Sequence, residues 1–162
     1  MATTLQSKYG TEKQAITVTL ASLANNGARA STVVDNTSNL FLDALVQLQL
    51  KSGASGVSAT GYVQVYAYGT VDAADSLYPE GATGTDGGVT LTVPTNLKLI
   101  GIINMVANAT TYVSEPMSVA ATFGGILPEK WGIVVVNQSG AALDATEGNH
   151  LKYYQGVEAQ SS

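Results

Sequence analysis

The 162-residue chain has no cysteine, one histidine (His150), one arginine (Arg29) and one tryptophan (Trp131), and only 12% of its residues are charged. Without a thiol there is no disulfide, no thiolate metal site and no cysteine nucleophile. A single imidazole removes most templates that rely on paired histidines or on several metal-ligating ones. Positive charge is also scarce. Seven Lys and Arg stand against twelve Asp and Glu, for a net charge of −5, and such a chain repels a phosphate backbone, so no nucleic-acid partner is expected. The longest apolar run, Leu99 to Ala109, is interrupted by Asn104 and falls short of the ~20 residues that cross a bilayer. The opening MATTLQSKYGTEKQ has no apolar block of the secretory kind, so a soluble product, made in the cytoplasm and not attached to a membrane, is expected.

What is present is alternation. Ile16, Val18 and Leu20 share one parity against Thr17 and Thr19, the pattern of a half-buried strand. Leu40, Leu42, Ala44, Val46, Leu48 and Leu50 oppose Asp43, Gln47, Gln49 and Lys51. Ser38 could cap a helix over the same residues, but helical spacing would bring Asp43 and Gln47 onto the flank of its apolar stripe, so a strand is preferred. Tyr62 to Gly69, Val89 to Val93, Val113 to Phe123 with Pro116 near its start, Trp131 to Asn137, and Leu151 to Val157 read as further strands. Leu97 to Val106 is apolar on both parities and is expected to be a central strand covered on both sides.

About eight strands separated by Gly, Asn, Ser and Asp predict an all-β fold, a β-sandwich of jelly-roll type. At this length one core suffices, since folding buries roughly 70% of the unfolded chain's surface. The expected division is a flexible N-terminal arm (1–12), a single sandwich domain (13–158) and a C-terminal tail (159–162). Ala21 to Asn39 and Thr70 to Gly88, the latter with the run GATGTDGG, are read as long loops, and that glycine run as flexible.

Chemistry-bearing residues are few. His150 lies near Glu147, but no nucleophile-elbow spacing accompanies it, and a polar surface or interface histidine is the plainer reading. The carboxylates could pair as in a glycosidase, or merely solvate loops. Asp72 with Asp75, and Asp35 with Asn36 and Asn39, offer oxygen ligands without the spacing of a calcium loop, and equally form Asx-turns. No catalytic, cofactor or metal residue is therefore assigned. Tyr62, Tyr66 and Tyr68 on one strand face, joined by Tyr153 and Tyr154, form a candidate interface or sugar platform, with burial in a core layer as the alternative. Arg29 either anchors its loop by an ion pair or reaches another subunit.

Three segments carry a resemblance: ITVTLASLANNGARASTVVDNTSNLFLDALVQLQLK (Ile16 to Lys51), GYVQVYAYG (Gly61 to Gly69) and LPEKWGIVVVNQSGAALDATEGNHLKYYQGVEAQ (Leu127 to Gln160). GARAS followed by VDN and a long strand, then Pro-x-x-Trp-Gly and an SGAAL turn, resembles small structural virion proteins of tailed bacteriophages. The resemblance implies a jelly-roll-like sandwich without enzymatic activity. It further implies a decoration or cement protein on the outside of the head, bound to the major capsid protein as a homo-oligomer such as a trimer. A lectin-like module of a head fibre or tail that recognises host carbohydrate, and a tail or collar component, are the alternatives.

Overall fold

A computed structural model describes residues 5–72 and 77–161. It contains twelve strand segments: β1 (Leu5–Tyr9), β2 (Gln14–Ala15), β3 (Ala28–Ala30), β4 (Val34–Asp35), β5 (Asp43–Lys51), β6 (Tyr62–Thr70), β7 (Gly87–Gly88), β8 (Lys98–Asn104), β9 (Thr111–Val113), β10 (Met117–Ser118), β11 (Lys130–Gln138) and β12 (Leu151–Ser161). Short 3-10 turns occupy Pro79–Gly81, Ala120–Phe123 and Glu147–Asn149. The fold is all-β, as expected, and consists of two six-stranded antiparallel sheets. Sheet A runs β1-β12-β5-β10, with β2 paired to β12 and β9 to β5. Sheet B runs β7-β3-β11-β6-β8, with β4 paired to β11.

The period-two residues of both sheets meet between the layers. Ala44, Val46, Leu48 and Leu50 of β5 face Val63, Val65 and Ala67 of β6 and Trp131, Ile133 and Val135 of β11 in one cluster. Trp131 is fully buried and meets Tyr154 edge to face, with ring centroids 5.1 Å apart. Burying such large rings is the dominant favourable contribution to a core of this kind.

Sheet B carries a second apolar layer on its other side. There Ala30, Tyr68, Val134 and Val136 pack against Ala82 and Leu97, with Tyr78, Val89 and Leu91 partly buried around them. The segment from Leu77 to Leu97 thus covers the outside of the sheet, and β11 is buried on both faces. Two-sided cover was expected for Leu97 to Val106; instead β8 is the edge of sheet B, with Leu99 44% and Ile102 52% exposed.

Other expectations need correction. Only Gln14–Ala15 of the first segment belongs to a ladder, although Ile16, Val18 and Leu20 are buried as their parity requires. The chain is extended there, but its amides are satisfied one by one: Ile16 donates to Lys152 O, Thr19 to Asp86 Oδ2, and Leu20 and Ala21 to Glu147 Oε2. Alternation therefore reports burial even where pairing is absent. Val89 to Val93 is covering segment and not strand, and Val93 is almost wholly exposed. The Ala21 to Asn39 stretch contains β3 and β4. The glycine run is anchored and not free: Val33 N–H donates to Gly84 O, Ala82 is buried, and Asp86 bonds Arg29. Val113 points outward while Met117 and Val119 point inward, because Pro116 and the following 3-10 turn break the parity.

The expected arm and tail pair with each other. β1 lies antiparallel to the end of β12 from Leu5↔Ser161 to Tyr9↔Val157. Since β12 leaves β5 at Val157, residues 158–161 pair only with β1, and the two ends form a ribbon continuing past the sheet. Gly10 and Gly156 mark its root, where the Phe41 ring sits on Gly156 so closely that a Cβ would stand 2.5 Å from it.

Trp131→Ala is expected to lower unfolding free energy by about 3–5 kcal/mol in chemical denaturation, whereas Ile102→Ala on the outside of β8 is expected to cost about 1 kcal/mol or less. Equal losses would contradict the assignment of β8 as an open edge.

Candidate functional site

The six residues singled out by sequence do not form one surface. Tyr62, Tyr66 and Tyr68 do share the outer face of sheet B, but the covering segment divides them. Tyr68 is 1% exposed, meets Tyr78 edge to face at 5.6 Å and donates its hydroxyl to Ser31 O at 2.6 Å. Burial pushes its pKa up to about 12, against the smaller opposing effect of that hydrogen bond. Tyr154 is likewise in the core, 3% exposed and bonded to Gln14 Oε1. Neither is an interface residue, and their place was the core layer. Tyr62 and Tyr66 are half-buried, and Tyr153 lies on the opposite sheet with the Lys13 ammonium 4.4 Å from its ring centroid.

Arg29 takes the intramolecular alternative, although its partner lies in a different loop. Its Nε donates to Asp86 Oδ1 at 2.6 Å, while Asp86 Oδ2 accepts from Thr19 N–H and Oγ1. Burial opposes the negative charge of Asp86, but Arg29 and Thr19 outweigh it and hold the carboxyl below its usual range. The pair ties the edge of sheet B to the extended segment that bridges the two sheets.

His150 is not a surface residue. It is 2% exposed, with Nε2 3.0 Å from Asp144 O and Nδ1 3.4 Å from the amide of Lys51. An imidazole carrying its proton on Nε2 satisfies both contacts, and no hydroxyl nucleophile shares them. Glu147 is spent on the amides of Leu20 and Ala21 and on the Lys152 ammonium. The Asp35 cluster is similarly occupied: Asp35 accepts from Thr37 N–H and Oγ1, an Asx-turn, and the Asn36 amide bonds both backbone groups of Phe41. Asp75 lies outside the described residues. No group of three or more metal-ligating side chains occurs among the described residues.

Two open features stand out among the described residues. The first is the terminal ribbon, all five residues of β1 being exposed, with Leu5 and Tyr9 on it. The second is a groove of about 630 Å³ on the outside of sheet B. Gln64 and Tyr66 of β6 and Val136 and Gln138 of β11 form its floor, and the chain from Val89 to Thr95 its wall.

Glu80 sets that wall. Its carboxylate accepts from Thr92 N–H and Oγ1, Thr95 Oγ1 and Asn96 N–H, at 2.7 to 3.0 Å. The residue sits at φ 58°, a conformation costing about 1–3 kcal/mol for a non-glycine residue. The amides of Asn96 and then Thr92 hold its pKa at about 2. Nothing in the sequence marked Glu80, because its donors lie twelve to sixteen residues away, Thr92 in a segment read as a strand and Thr95 and Asn96 just beyond it.

Folded-state pKa values of about 2 for Glu80 and for Asp144, the latter held by Asn149 and Thr146, lie below the ordinary 4.5 and 3.8. Their contribution to stability is therefore complete above roughly pH 5 and is lost as pH falls toward 2. Glu80→Gln is expected to accelerate amide exchange at Thr92 and Asn96 at neutral pH and to flatten part of the acid loss. Unchanged exchange would show that the carboxylate does not hold the wall. Comparison with known proteins finds no matching family model, no matching curated protein and no matching solved structure.

Proposed function

We propose that the chain is a non-enzymatic structural component of a tailed-bacteriophage particle, a decoration protein that clamps the outside of the head. The observation that carries this reading is the terminal ribbon. A two-stranded ribbon is marginally stable alone in water, yet here residues 5–9 and 158–161 are committed to one that continues past the sheet, with all five residues of β1 exposed. Its unpaired edges and its Leu5 and Tyr9 side chains suit addition to a neighbouring sheet. The partner in this reading is the major capsid protein, and the site of action is the virion assembled in the host cytoplasm.

The strand order supports the reading at the level of fold. Merging β1 with β2, β3 with β4, and β9 with β10, and setting β7 aside, leaves eight strands. They alternate between sheets except at the β6 to β8 step. We read that order as a jelly roll, an architecture used in viral capsids and lectins. The phage-like segments coincide with its framework. Ser31 of GARAS joins β3 to β11 through Ile133, Trp131 of Pro-x-x-Trp-Gly fills the core, and Asn137 before SGAAL holds Leu23 O and Ala141 O.

A shell strained by packaged DNA is stabilised by any protein that binds the intact surface and not the ruptured one. Several copies, each making modest contacts, give strong attachment, and the open β8 edge with Leu99 and Ile102 provides a surface for a homo-oligomer, a trimer at local symmetry axes.

Particles assembled without this chain are expected to release DNA at a lower temperature, and added protein to restore the limit. A double variant, Ser7→Pro with Ala159→Pro, which breaks ribbon pairing outside the core, is expected to fold but not to restore it. Particles that resist heat equally well without the protein would refute the clamp.

A further inference from the structure

On a chain of net charge −5, the groove on the outside of sheet B is lined by no charged residue. A charged ligand entering it would lose hydration and meet no counter-charge, so the groove selects against ions. Its polar groups are the primary amides of Asn26, Gln64 and Gln138, with the Tyr66 hydroxyl and threonines of the wall. None of those three amides, nor the Tyr66 hydroxyl, makes a side-chain hydrogen bond with the protein among the described residues. Each amide offers donors and an acceptor together.

Between them lie apolar surfaces: the half-buried Tyr66 ring, Val136 and Leu91. The volume of about 630 Å³ falls within the range of small-molecule sites, ~300 to 1,000 Å³. The wall is fixed in advance by the Glu80 carboxylate, which limits the ordering cost of binding. An uncharged ligand with many hydroxyls that both donate and accept, and with apolar ring faces, matches this lining. A peptide strand fits less well, because the neighbouring edge of β3 is already taken by β7 and by the Val89 amide bonded to Ala28 O at 3.1 Å.

We propose that this groove binds a neutral oligosaccharide, stacked on Tyr66 and hydrogen-bonded by Gln64, Gln138 and Asn26. The site is separate from the ribbon, so it stands or falls independently of head attachment. Tyr153, capped by Lys13 on the opposite sheet, provides an internal control.

The full chain, isotopically labelled, is titrated with neutral oligosaccharides of glucose, galactose, mannose and N-acetylglucosamine, with a uronic-acid oligosaccharide, and with an uncharged extended peptide. At least one neutral oligosaccharide is expected to shift the amide resonances of Gln64, Tyr66 and Gln138. Tyr66→Ala is expected to weaken it at least tenfold, as is Gln64→Ala should the tyrosine variant not fold, while Tyr153→Ala changes nothing. The proposal is overturned if no neutral oligosaccharide perturbs the groove, if the shifts map to sheet A, or if the uronic-acid ligand or the peptide binds the groove as tightly. Particle binding by Tyr66→Ala is expected to be unchanged, which keeps this result distinct from failure of the clamp.

Discussion

The structure depends on keeping β11 dry on both sides. One face presents Trp131, Ile133 and Val135 to the space between the sheets; the other presents Val134 and Val136 to the segment that ends at Leu97. Gly132 shows how tight this is, since a Cβ there would stand 2.6 Å from the Tyr68 ring and hydroxyl. A central strand covered twice must find every backbone partner within the protein. β6 pairs along its whole length, while β3 and β4 share the other side, with Ser31 bridging the gap between them through both its amide and its hydroxyl.

That arrangement explains how so few charges suffice. The loops are held by a handful of side chains: Glu80 for the wall, Glu147 for the bridge between sheets and Asn137 for the last turn each satisfy two or more backbone groups, and Asp86 at the sheet edge joins Thr19 to Arg29. The bonds to the three carboxylates are charge-assisted and stronger than neutral ones, and they fix loops without a ladder. A framework of this kind holds surfaces in place. The single imidazole, His150, lies against the Asp144 carbonyl, and Glu147, three residues before it, accepts from the amides of Leu20 and Ala21.

Much of the fold was legible because burial alternates along β5 and β6 as their side chains do, and this identified Ala44 to Leu50 and Val63 to Ala67 as core. Periodicity failed where cover is not periodic. It could not say that Leu99 and Ile102 face outward at an edge, nor that Tyr68 lies beneath a loop while Tyr66, on the same face, does not. Likewise the N-terminal residues carry no apolar pattern, because β1 is paired but exposed at all five positions, and only its partner at the far end of the chain reveals it. The groove escaped notice for a related reason: its amides come from β6, β11 and the turn before β3, which only the sheet brings together.

In the function proposed above, the terminal ribbon is the part that meets the capsid. Electron microscopy of heads reconstituted with the purified chain tests it most directly. Sandwich density is expected on the outer shell, with residues 5–9 and 157–161 in contact with the major capsid protein. Density absent from the head, or a bound sandwich whose ribbon points into solvent, would contradict it.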